Sequence, residues 1–256
     1  MITLEICCGS YEDAIAAERA GASRIELNSA LALGGLTPDI GDLCLCKKQL
    51  CIPVIAMLRP RAGGFCYTEG EFFCMQKSAE IMLEAGADGL AFGILTPDRQ
   101  VDIPRTKMLV ELTHSYGREA VFHRAFDCVE NLTAGAEALL TAGVDRVLTS
   151  GGAATAQEGC DMLHLLQMQF GDRLEVLAGS GVRSANVRRL IEQTGISQIH
   201  SSCRGNREDL TARGNQVSFA VQEGEKWYAY ECVKESSVYA IYQEIVKYEG
   251  EGHENL

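Results

Sequence analysis

The sequence lacks an apolar run long enough to cross a lipid bilayer, and no basic and apolar leader follows Met1. These two absences predict a cytoplasmic protein without a membrane partner. Basic residues are also scarce, with 23 Lys and Arg against 35 Asp and Glu, and the formal net charge is −12. Such a charge opposes binding to the phosphate backbone of nucleic acid, so we expect no nucleic-acid partner.

No Cys-x-x-Cys pair occurs among the 11 cysteines. Cys7 and Cys8 are adjacent, and Cys44 and Cys46 are separated by one residue, spacings that do not suit a structural zinc site. The cysteine count is odd and the chain is not a short secreted scaffold, so we predict free thiols rather than disulfides. Most of these thiols should pack as small hydrophobic side chains.

Four similar segments recur along the chain. Each is typical of a helix end, a glycine that terminates the helix, a short turn and a strand. The glycines lie 65, 57 and 52 residues apart, which leaves room for two strand–helix units in each repeat. The segments begin at Ala20, Ala85, Ala142 and Thr194, and further strand candidates lie between them at residues 2–7, 53–58, 120–123 and 174–178.

Eight alternating strand and helix units predict a (β/α)8 TIM barrel. A doubly wound parallel sheet is the alternative, but it does not favour a fourfold repeat of two units. We assign the barrel to residues 1–204 and an extension, packed on the barrel in the same domain, to residues 205–256. The extension should contain a hairpin and then a helix. Its predicted strands are 217–221 and 227–233, around Glu223-Gly224, and its predicted helix is 236–248.

The stretch at residues 120–127 carries the clearest functional signal. It begins as a buried strand and then runs into His123, Arg124 and Asp127. Charged groups at the C-terminal end of a buried strand need partners or a function. In a TIM barrel the C-terminal strand ends carry the active site, so we predict functional roles for His123 and Asp127. By the same alternation along the strand, the side chain of Arg124 should point away from the barrel interior, and we expect it to pair with a helix residue.

Other strand ends carry polar side chains on a shared face. Because side chains alternate along a strand, Glu5 lies on the same face as Cys7, and Glu26 on the same face as Asn28. We therefore expect them at the mouth of the barrel. The candidate catalytic residues are Glu5, Glu26, His123 and Asp127, and the candidate metal ligand is Cys7. The candidate substrate-binding residues are Asn28, Arg59, Arg61, Ser150, Gly151, Gly179, Ser180, Gly181, His200 and Ser201.

Two chemistries fit these residues. A thiolate, an imidazole and carboxylates suit a transition metal, and the cysteine favours Cu(I) or Zn(II). Alternatively, glycine-rich turns before helix N-termini, together with Arg59 and Arg61, suit a phosphate or carboxylate, with His123 or Glu26 moving a proton. A structural alternative is a ring of ion pairs, formed by Glu5, Glu26, Arg59 and Arg61, that only closes the top of the barrel.

Several short motifs between residues 5 and 202 occur together in this chain. They are Glu5-Ile6-Cys7, Arg24-Ile25-Glu26-Leu27, Gly34-Gly35-Leu36-Thr37-Pro38, Arg59-Pro60-Arg61, Phe65-Cys66-Tyr67, Phe122-His123-Arg124-Ala125-Phe126-Asp127, Leu148-Thr149-Ser150-Gly151 and His200-Ser201-Ser202. In this combination the chain resembles the CutC family, named as copper homeostasis proteins. The resemblance implies a (β/α)8 barrel, a cytoplasmic location and a role in copper handling, with Cu(I) bound through cysteines and no organic cofactor.

The chain departs from the family pattern at two places. Members often carry a cysteine after Arg-Ile-Glu-Leu, where this chain has Asn28, and Gly-Gly-Asp-Phe after Arg-Pro-Arg, where this chain has residues 62–65 as Ala-Gly-Gly-Phe. The first departure leaves Cys7 without a second thiol on strand two.

Three functional hypotheses follow. The leading one is a copper homeostasis protein of the CutC type, whose ligand is a copper ion held in part by Cys7. The alternative is a TIM-barrel enzyme acting on a small anionic metabolite. The third is an assembly protein whose extension forms a homo-oligomer interface.

Overall fold

The computed structural model, which describes residues 1–220 and 228–253, contains a closed barrel of eight parallel strands arranged in sequence order. The strands are β1 (Thr3–Cys8), β2 (Arg24–Leu27), β3 (Val54–Met57), β4 (Gly89–Phe92), β5 (Glu119–Phe122), β6 (Arg146–Thr149), β7 (Glu175–Ala178) and β8 (Gln198–Ser201). β8 pairs with β1 and closes the ring. The TIM-barrel prediction is therefore confirmed.

Helices connect the strands and form the outer layer. They are α1 (Tyr11–Arg19), α2 (Ile40–Gln49), α3 (Glu69–Glu84), α4 (Ile103–Ser115), α5 (Leu132–Ala142), α6 (Cys160–Phe170), α7 (Val187–Thr194) and α8 (Glu235–His253). Local sequence explains several helix ends. Thr68 and Glu71 form a reciprocal capping box at the start of α3, and Gly143 and Gly195 end α5 and α7 with φ of 82° and 72°.

Two apolar regions hold the barrel together. The larger one lies between the strands and the helices, and alternate residues of β1, Leu4, Ile6 and Cys8, belong to it. The smaller one lies inside the barrel and is formed by Ile55, Met57, Ala91 and Val121 of β3, β4 and β5. The rest of the interior carries charged and polar side chains beside the apolar Leu148 of β6, and these polar side chains lead to the candidate site.

The hairpin of the extension differs from the prediction. β10 (Ala229–Val233) pairs antiparallel with β9 (Arg204–Glu208), so the predicted first strand at 217–221 is wrong. Among the described residues of that segment, Ser218 alone forms a β-bridge, an isolated antiparallel one with Arg213. The predicted turn at Glu223-Gly224 lies outside the described residues. The sequence of β9, Arg-Gly-Asn-Arg-Glu, has no apolar alternation, which explains why the pattern missed it.

The last helix is longer than the predicted 236–248 and occupies the eighth position of the helical ring. α8 packs against α1 and α7 and buries Val238, Ile241 and Ile245 in the main core. Ion pairs from Arg19 to Glu235 and from Arg188 to Glu251 fix its two ends. The division of the chain at residue 204 stays a prediction. Within the described part of the chain, every helix is too short or too polar to cross a membrane.

Candidate functional site

A buried ion-pair network fills the lower part of the barrel interior. Glu5 on β1 pairs with Arg24 on β2, and its Oε1 lies 2.7 Å from Nδ1 of His200 on β8. Arg24 also donates to Oε1 of Gln198 at 2.7 Å. Burial alone raises the pKa of Glu5, but the charges of Arg24 and His200 outweigh it and hold the pKa well below its usual range. Glu5 is therefore an ionised, fully engaged carboxylate.

Arg146 closes the bottom of this network from β6. Its Nε donates to Glu175 Oε2 at 2.8 Å and its Nη2 to Glu119 Oε2 at 2.9 Å. Burial lowers the pKa of Arg146, but Glu5 and its other acidic neighbours raise it overall. An ion-pair network therefore exists, in which Glu5 contacts Arg24 and His200 while Arg146 pairs with Glu119 and Glu175. The predicted ring of Glu5, Glu26, Arg59 and Arg61 is wrong in its partners, because Arg59 binds carbonyl groups and Arg61 pairs with Glu71.

Cys7, Glu26 and His200 converge above this network. One candidate ligand atom from each of the three lies within 4.8 Å of the other two. Asn28 donates from Nδ2 to Glu26 Oε2 at 2.9 Å, and the same atom lies 3.4 Å from Cys7 Sγ. Asn28 is only 1% exposed. The residue that departs from the family pattern therefore holds the thiol and the carboxylate in place.

The protonation of this cluster follows from its burial. Burial, and then the Glu26 charge, raise the pKa of the Cys7 thiol well above its ordinary value. Burial also raises the pKa of Glu26. For His200 burial lowers the pKa, but the hydrogen bond of Glu5 and the charges of Glu26 and Glu5 outweigh burial and raise it overall. The cluster therefore holds its protons firmly, and a metal ion must displace them to bind.

His123 ends β5 as a neutral side chain. Its Nδ1 accepts a hydrogen bond from the Ala125 N–H at 3.1 Å. Burial, and then the charge of Arg59, lower the pKa of His123 to about 3. The ring fits there because Gly93 at the end of β4 has no side chain, since a Cβ would lie 2.5 Å from ring atoms of His123. The proton of the neutral ring therefore resides on Nε2.

Arg59 lies in the cavity wall, where it binds carbonyl groups. Its Nη1 donates to the carbonyls of Leu33 and Gly35 at 3.1 Å and 3.0 Å, and its Nη2 to Gly63 at 2.8 Å. Its guanidinium lies 5.2 Å from the centroid of Phe65. Among the described residues Arg59 has no carboxylate partner, so its positive charge is available to the cavity.

Arg61 does not share this environment. It pairs with Glu71 on α3 and lies 5.1 Å from the ring centroid of Tyr67, and it does not line the cavity. The strand β3 ends at Met57, so the alternation used to predict a shared face for Arg59 and Arg61 no longer holds at residue 61. The prediction that Arg61 lies at the mouth is wrong.

Asp127 joins the ends of β5 and β6. Its carboxylate accepts hydrogen bonds from the Thr149 hydroxyl at 2.5 Å, the Ser150 N–H at 3.0 Å and the Gly152 N–H at 3.0 Å. It also pairs with Arg124, which lies 2.9 Å from Ser150 Oγ. Arg124 lines the cavity, and its partners among the described residues are Asp127 and Ser150, so the prediction that it pairs with a residue of an outer helix is wrong. These contacts favour a positioning role for Asp127 over the predicted catalytic one.

The glycine-rich turns after β6 and β7 differ from each other. Ser150 is fully buried, and neither it nor Gly151 lines the cavity. Ser180 and Gly181 do line it, with φ of 79° and 69°. Gly179 lies behind the wall, where an added Cβ would meet Leu148. The anion site predicted at both turns is thus compatible with the β7 turn alone.

One cavity of about 830 Å³ lies at the C-terminal end of the barrel, and the groups above that line it are Cys7, Glu26, Asn28, Arg59, His123, Arg124, Asp127, Ser180, Gly181 and His200. Its wall also contains residues that the sequence did not indicate. The sequence did not place them at the mouth, because they come from the loops after β3, β7 and β8, from the first residue of β9 and from the first turn of α8. They include Phe65, Arg183, Ser184, Ser202, Arg204, Ser236 and Ser237, while the predicted Ser201 lines the cavity and donates to the Val182 carbonyl at 2.8 Å.

Comparison with known proteins identifies relatives over most of the chain. A model of the CutC family matches residues 2–205. A family protein CutC from Treponema denticola is 44% identical over 84% of this chain and 86% of its own length. A mouse protein named copper homeostasis protein cutC homolog is 42% identical over 80% of this chain and 75% of its own length.

Solved structures agree with this match. The structure of a copper homeostasis protein CutC from Streptococcus agalactiae is 30% identical, covers 79% of this chain and 99% of that chain, and superposes with a TM-score of 0.74. A phosphoribosylanthranilate isomerase from Pyrococcus furiosus covers 96% of this chain and 100% of that chain with a TM-score of 0.58. At 13% identity, the second likeness shows the barrel fold alone.

Proposed function

The chain belongs to the CutC family, and on this basis we propose that it serves copper homeostasis by binding a thiophilic metal ion at the barrel mouth. The ligands of this proposal are Cys7, Glu26 and His200. The resemblance to copper homeostasis proteins supports the copper assignment, and the arrangement of the three side chains supports the position.

The single observation that carries the proposal is the convergence of three different donor types at one point. A thiol, a carboxylate and an imidazole come from β1, β2 and β8, and their candidate ligand atoms lie within 4.8 Å of one another. Sulfur and nitrogen donors suit Cu(I), and the carboxylate adds a ligand that suits Zn(II). Second-sphere partners are also present, because Asn28 holds Glu26 and Glu5 holds His200.

The residues present fit one metal ion with moderate affinity. Asn28 occupies the position where the family often has a second thiol, and an amide is a poor ligand for Cu(I). Binding must also displace the proton of Cys7, whose pKa burial raises well above its ordinary value. Both features favour an ion that is held reversibly rather than a permanent structural metal.

A titration of the reduced protein with Cu(I), in competition with a chromophoric chelator and without oxygen, tests the proposal. We expect one Cu(I) per chain at the mouth and a loss of affinity of at least about tenfold in Cys7→Ser, since the thiolate is the strongest ligand. Cys128→Ser is the matched control, because Cys128 lines the same cavity outside the cluster. Equal affinities in the wild type and Cys7→Ser would show that Cys7 is not a ligand.

A further inference from the structure

The cavity has a second wall with a different charge. Its carboxylates, Glu26 and Asp127, come from β2 and from the segment after β5. Among the described residues, the loops after β7 and β8, the first residue of β9 and the first two turns of α8 contribute arginine and serine side chains to the cavity but no acidic one. We call this surface the basic wall and define it by its polar residues, which are Arg183, Ser184, Ser202, Arg204, Ser236 and Ser237.

The polar groups of the basic wall are largely unengaged. The guanidinium of Arg183 is exposed and makes no ion pair with a described residue. Arg204 uses Nη1 for Glu231 at 3.0 Å, which leaves its other donors free of any described partner. The hydroxyls of Ser236 and Ser237 likewise have no hydrogen-bond partner in the part of the chain that the structure describes. These donors point to a ligand that accepts hydrogen bonds and carries negative charge.

The start of α8 reinforces this charge. The helix has 19 residues, and its N-terminal end carries a partial positive charge from the aligned peptide dipoles. The acidic residue of its first turn, Glu235, does not cancel this charge, because Arg19 binds it with two hydrogen bonds of 2.9 Å and 2.7 Å. Ser236 and Ser237, in the same turn, line the cavity. An anion at this position would therefore gain from both the helix and the arginines.

His123 supplies an independent indication of a ligand. It lines the same cavity and is only 3% exposed, yet its Nε2 has no hydrogen-bond partner among the described residues. Since Nδ1 accepts from Ala125, Nε2 carries the proton and is a donor. A buried donor without an acceptor is destabilising, so such a group is expected to have a partner in the functional state.

We propose that the cavity binds a small phosphate ester, with the phosphate against Arg183 and the first turn of α8, and with another oxygen of the ligand accepting the hydrogen bond of His123 Nε2. The cavity volume of about 830 Å³ lies in the range typical of small-molecule sites. The inference goes beyond metal binding, because neither Arg183 nor His123 belongs to the Cys7 cluster. The inference also names a more specific ligand and position than the anion that the sequence predicts at the glycine-rich turns.

The test is a thermal-shift and calorimetric titration of the full-length, metal-free, reduced protein with two probes. Inorganic phosphate tests the basic wall, and ribose 5-phosphate tests the wall together with His123. Sodium chloride at matched ionic strength corrects for general salt effects. We expect both probes to raise the melting temperature above the chloride reference, and ribose 5-phosphate to bind about tenfold more tightly than phosphate, the value of one good hydrogen bond.

Three variants locate the site. Arg183→Gln should weaken both probes by at least about tenfold, whereas Arg189→Gln, which changes an exposed arginine outside the cavity, should leave them unchanged. His123→Asn keeps a side-chain oxygen that can accept from the Ala125 N–H but removes the Nε2 donor. It should abolish the advantage of ribose 5-phosphate over phosphate while phosphate binds as before.

Other outcomes would overturn the proposal. The basic wall is wrong as a site if neither probe exceeds the chloride reference, or if Arg189→Gln weakens binding as much as Arg183→Gln. The role of His123 is wrong if the wild type binds the two probes equally, or if His123→Asn keeps the tenfold difference. Cys7→Ser should respond like the wild type to both probes, so failure of the metal proposal would leave this result intact.

Discussion

The barrel interior has two arcs that share one backbone geometry and differ in chemistry. The apolar arc, β3 to β5, contributes Ile55, Met57, Ala91 and Val121. The polar arc, which runs from β6 through β8 to β1 and β2, contributes Arg146, His200, Glu5, Cys7, Arg24 and Glu26. In the apolar arc burial itself is favourable. In the polar arc burial is costly, and the charges of Glu5, Arg24 and Arg146 are stabilised by partners on neighbouring strands.

This difference teaches where stability and function reside in the barrel. The apolar arc needs only volume and shape, so conservative changes there are tolerated. The polar arc is a set of mutually dependent charges, so it tolerates the loss of a member badly, but it also creates the perturbed thiol, carboxylate and imidazole of the candidate metal site. Removing members of each arc in turn should separate these contributions.

The largest effect is expected when the polar arc loses its central carboxylate. Glu5→Ala leaves Arg24 and His200 buried without their counter-charge and should lower the free energy of unfolding by about 3–5 kcal/mol. Ile55→Val in the apolar arc is the matched control and should cost about 0.5–1.5 kcal/mol. Urea denaturation at pH 7 measures both. Similar losses in the two variants would show that the polar network is not energetically coupled.

A smaller effect concerns the protons of the candidate metal cluster. The Cys7 thiol must lose its proton before it can bind Cu(I), and burial raises its pKa. The affinity for Cu(I) should therefore increase about tenfold per pH unit for each proton released. Competition titrations at pH 6, 7 and 8, corrected for the protonation of the chelator, measure this slope. A slope of zero would contradict the presence of Cys7 among the ligands.

The smallest expected effect distinguishes Glu26 from Glu5, because the contributions of these two carboxylates to stability should change with pH in opposite directions. Burial raises the pKa of Glu26 above its ordinary value of 4.5, so its contribution to stability is fully present below that value and is lost as the pH rises through the folded pKa. Glu26→Gln should therefore raise the free energy of unfolding at pH 7 and change it less at pH 4.

Glu5 provides the internal contrast for that measurement. Its pKa is held well below the usual range, mainly by Arg24 against the opposing effect of burial. Its contribution is therefore present above the ordinary pKa and is lost as the pH falls. Glu5→Gln should thus destabilise the protein more at pH 7 than at pH 4, as urea denaturation at the two pH values can show. The same sign for both variants would refute this assignment of the two charges.

Periodicity in the sequence was sufficient for the barrel and for most of the strand faces. Glu5 and Cys7 lie inside because β1 alternates strictly with Leu4, Ile6 and Cys8 outside. Arg24 was missed, since a charged residue at the start of a predicted strand resembles a surface residue. Only the closed sheet, which pairs Glu5 with Arg24 in register, shows that this arginine is the partner of the carboxylate.

The arginines after β3 show where periodicity fails. Arg59 and Arg61 have the same parity, but the strand has ended and the chain turns, so Arg61 faces Glu71 instead of the mouth. Loop conformation depends on hydrogen bonds such as those from Arg59 to Leu33 and Gly35, which join distant parts of the chain. No local pattern encodes such contacts.

By itself, the sequence of this protein determined the alternation of eight strands and helices, the polar character of the barrel mouth and the resemblance to the CutC family, because these depend on local spacing and on short motifs. Tertiary structure alone decided which charges meet. Closure of β1 against β8 brings His200 to Glu5, although the two residues are 195 positions apart in the sequence. The packing of α8 brings Ser236 to the cavity. Such contacts arise from the packing of the whole chain, and therefore local sequence cannot specify them.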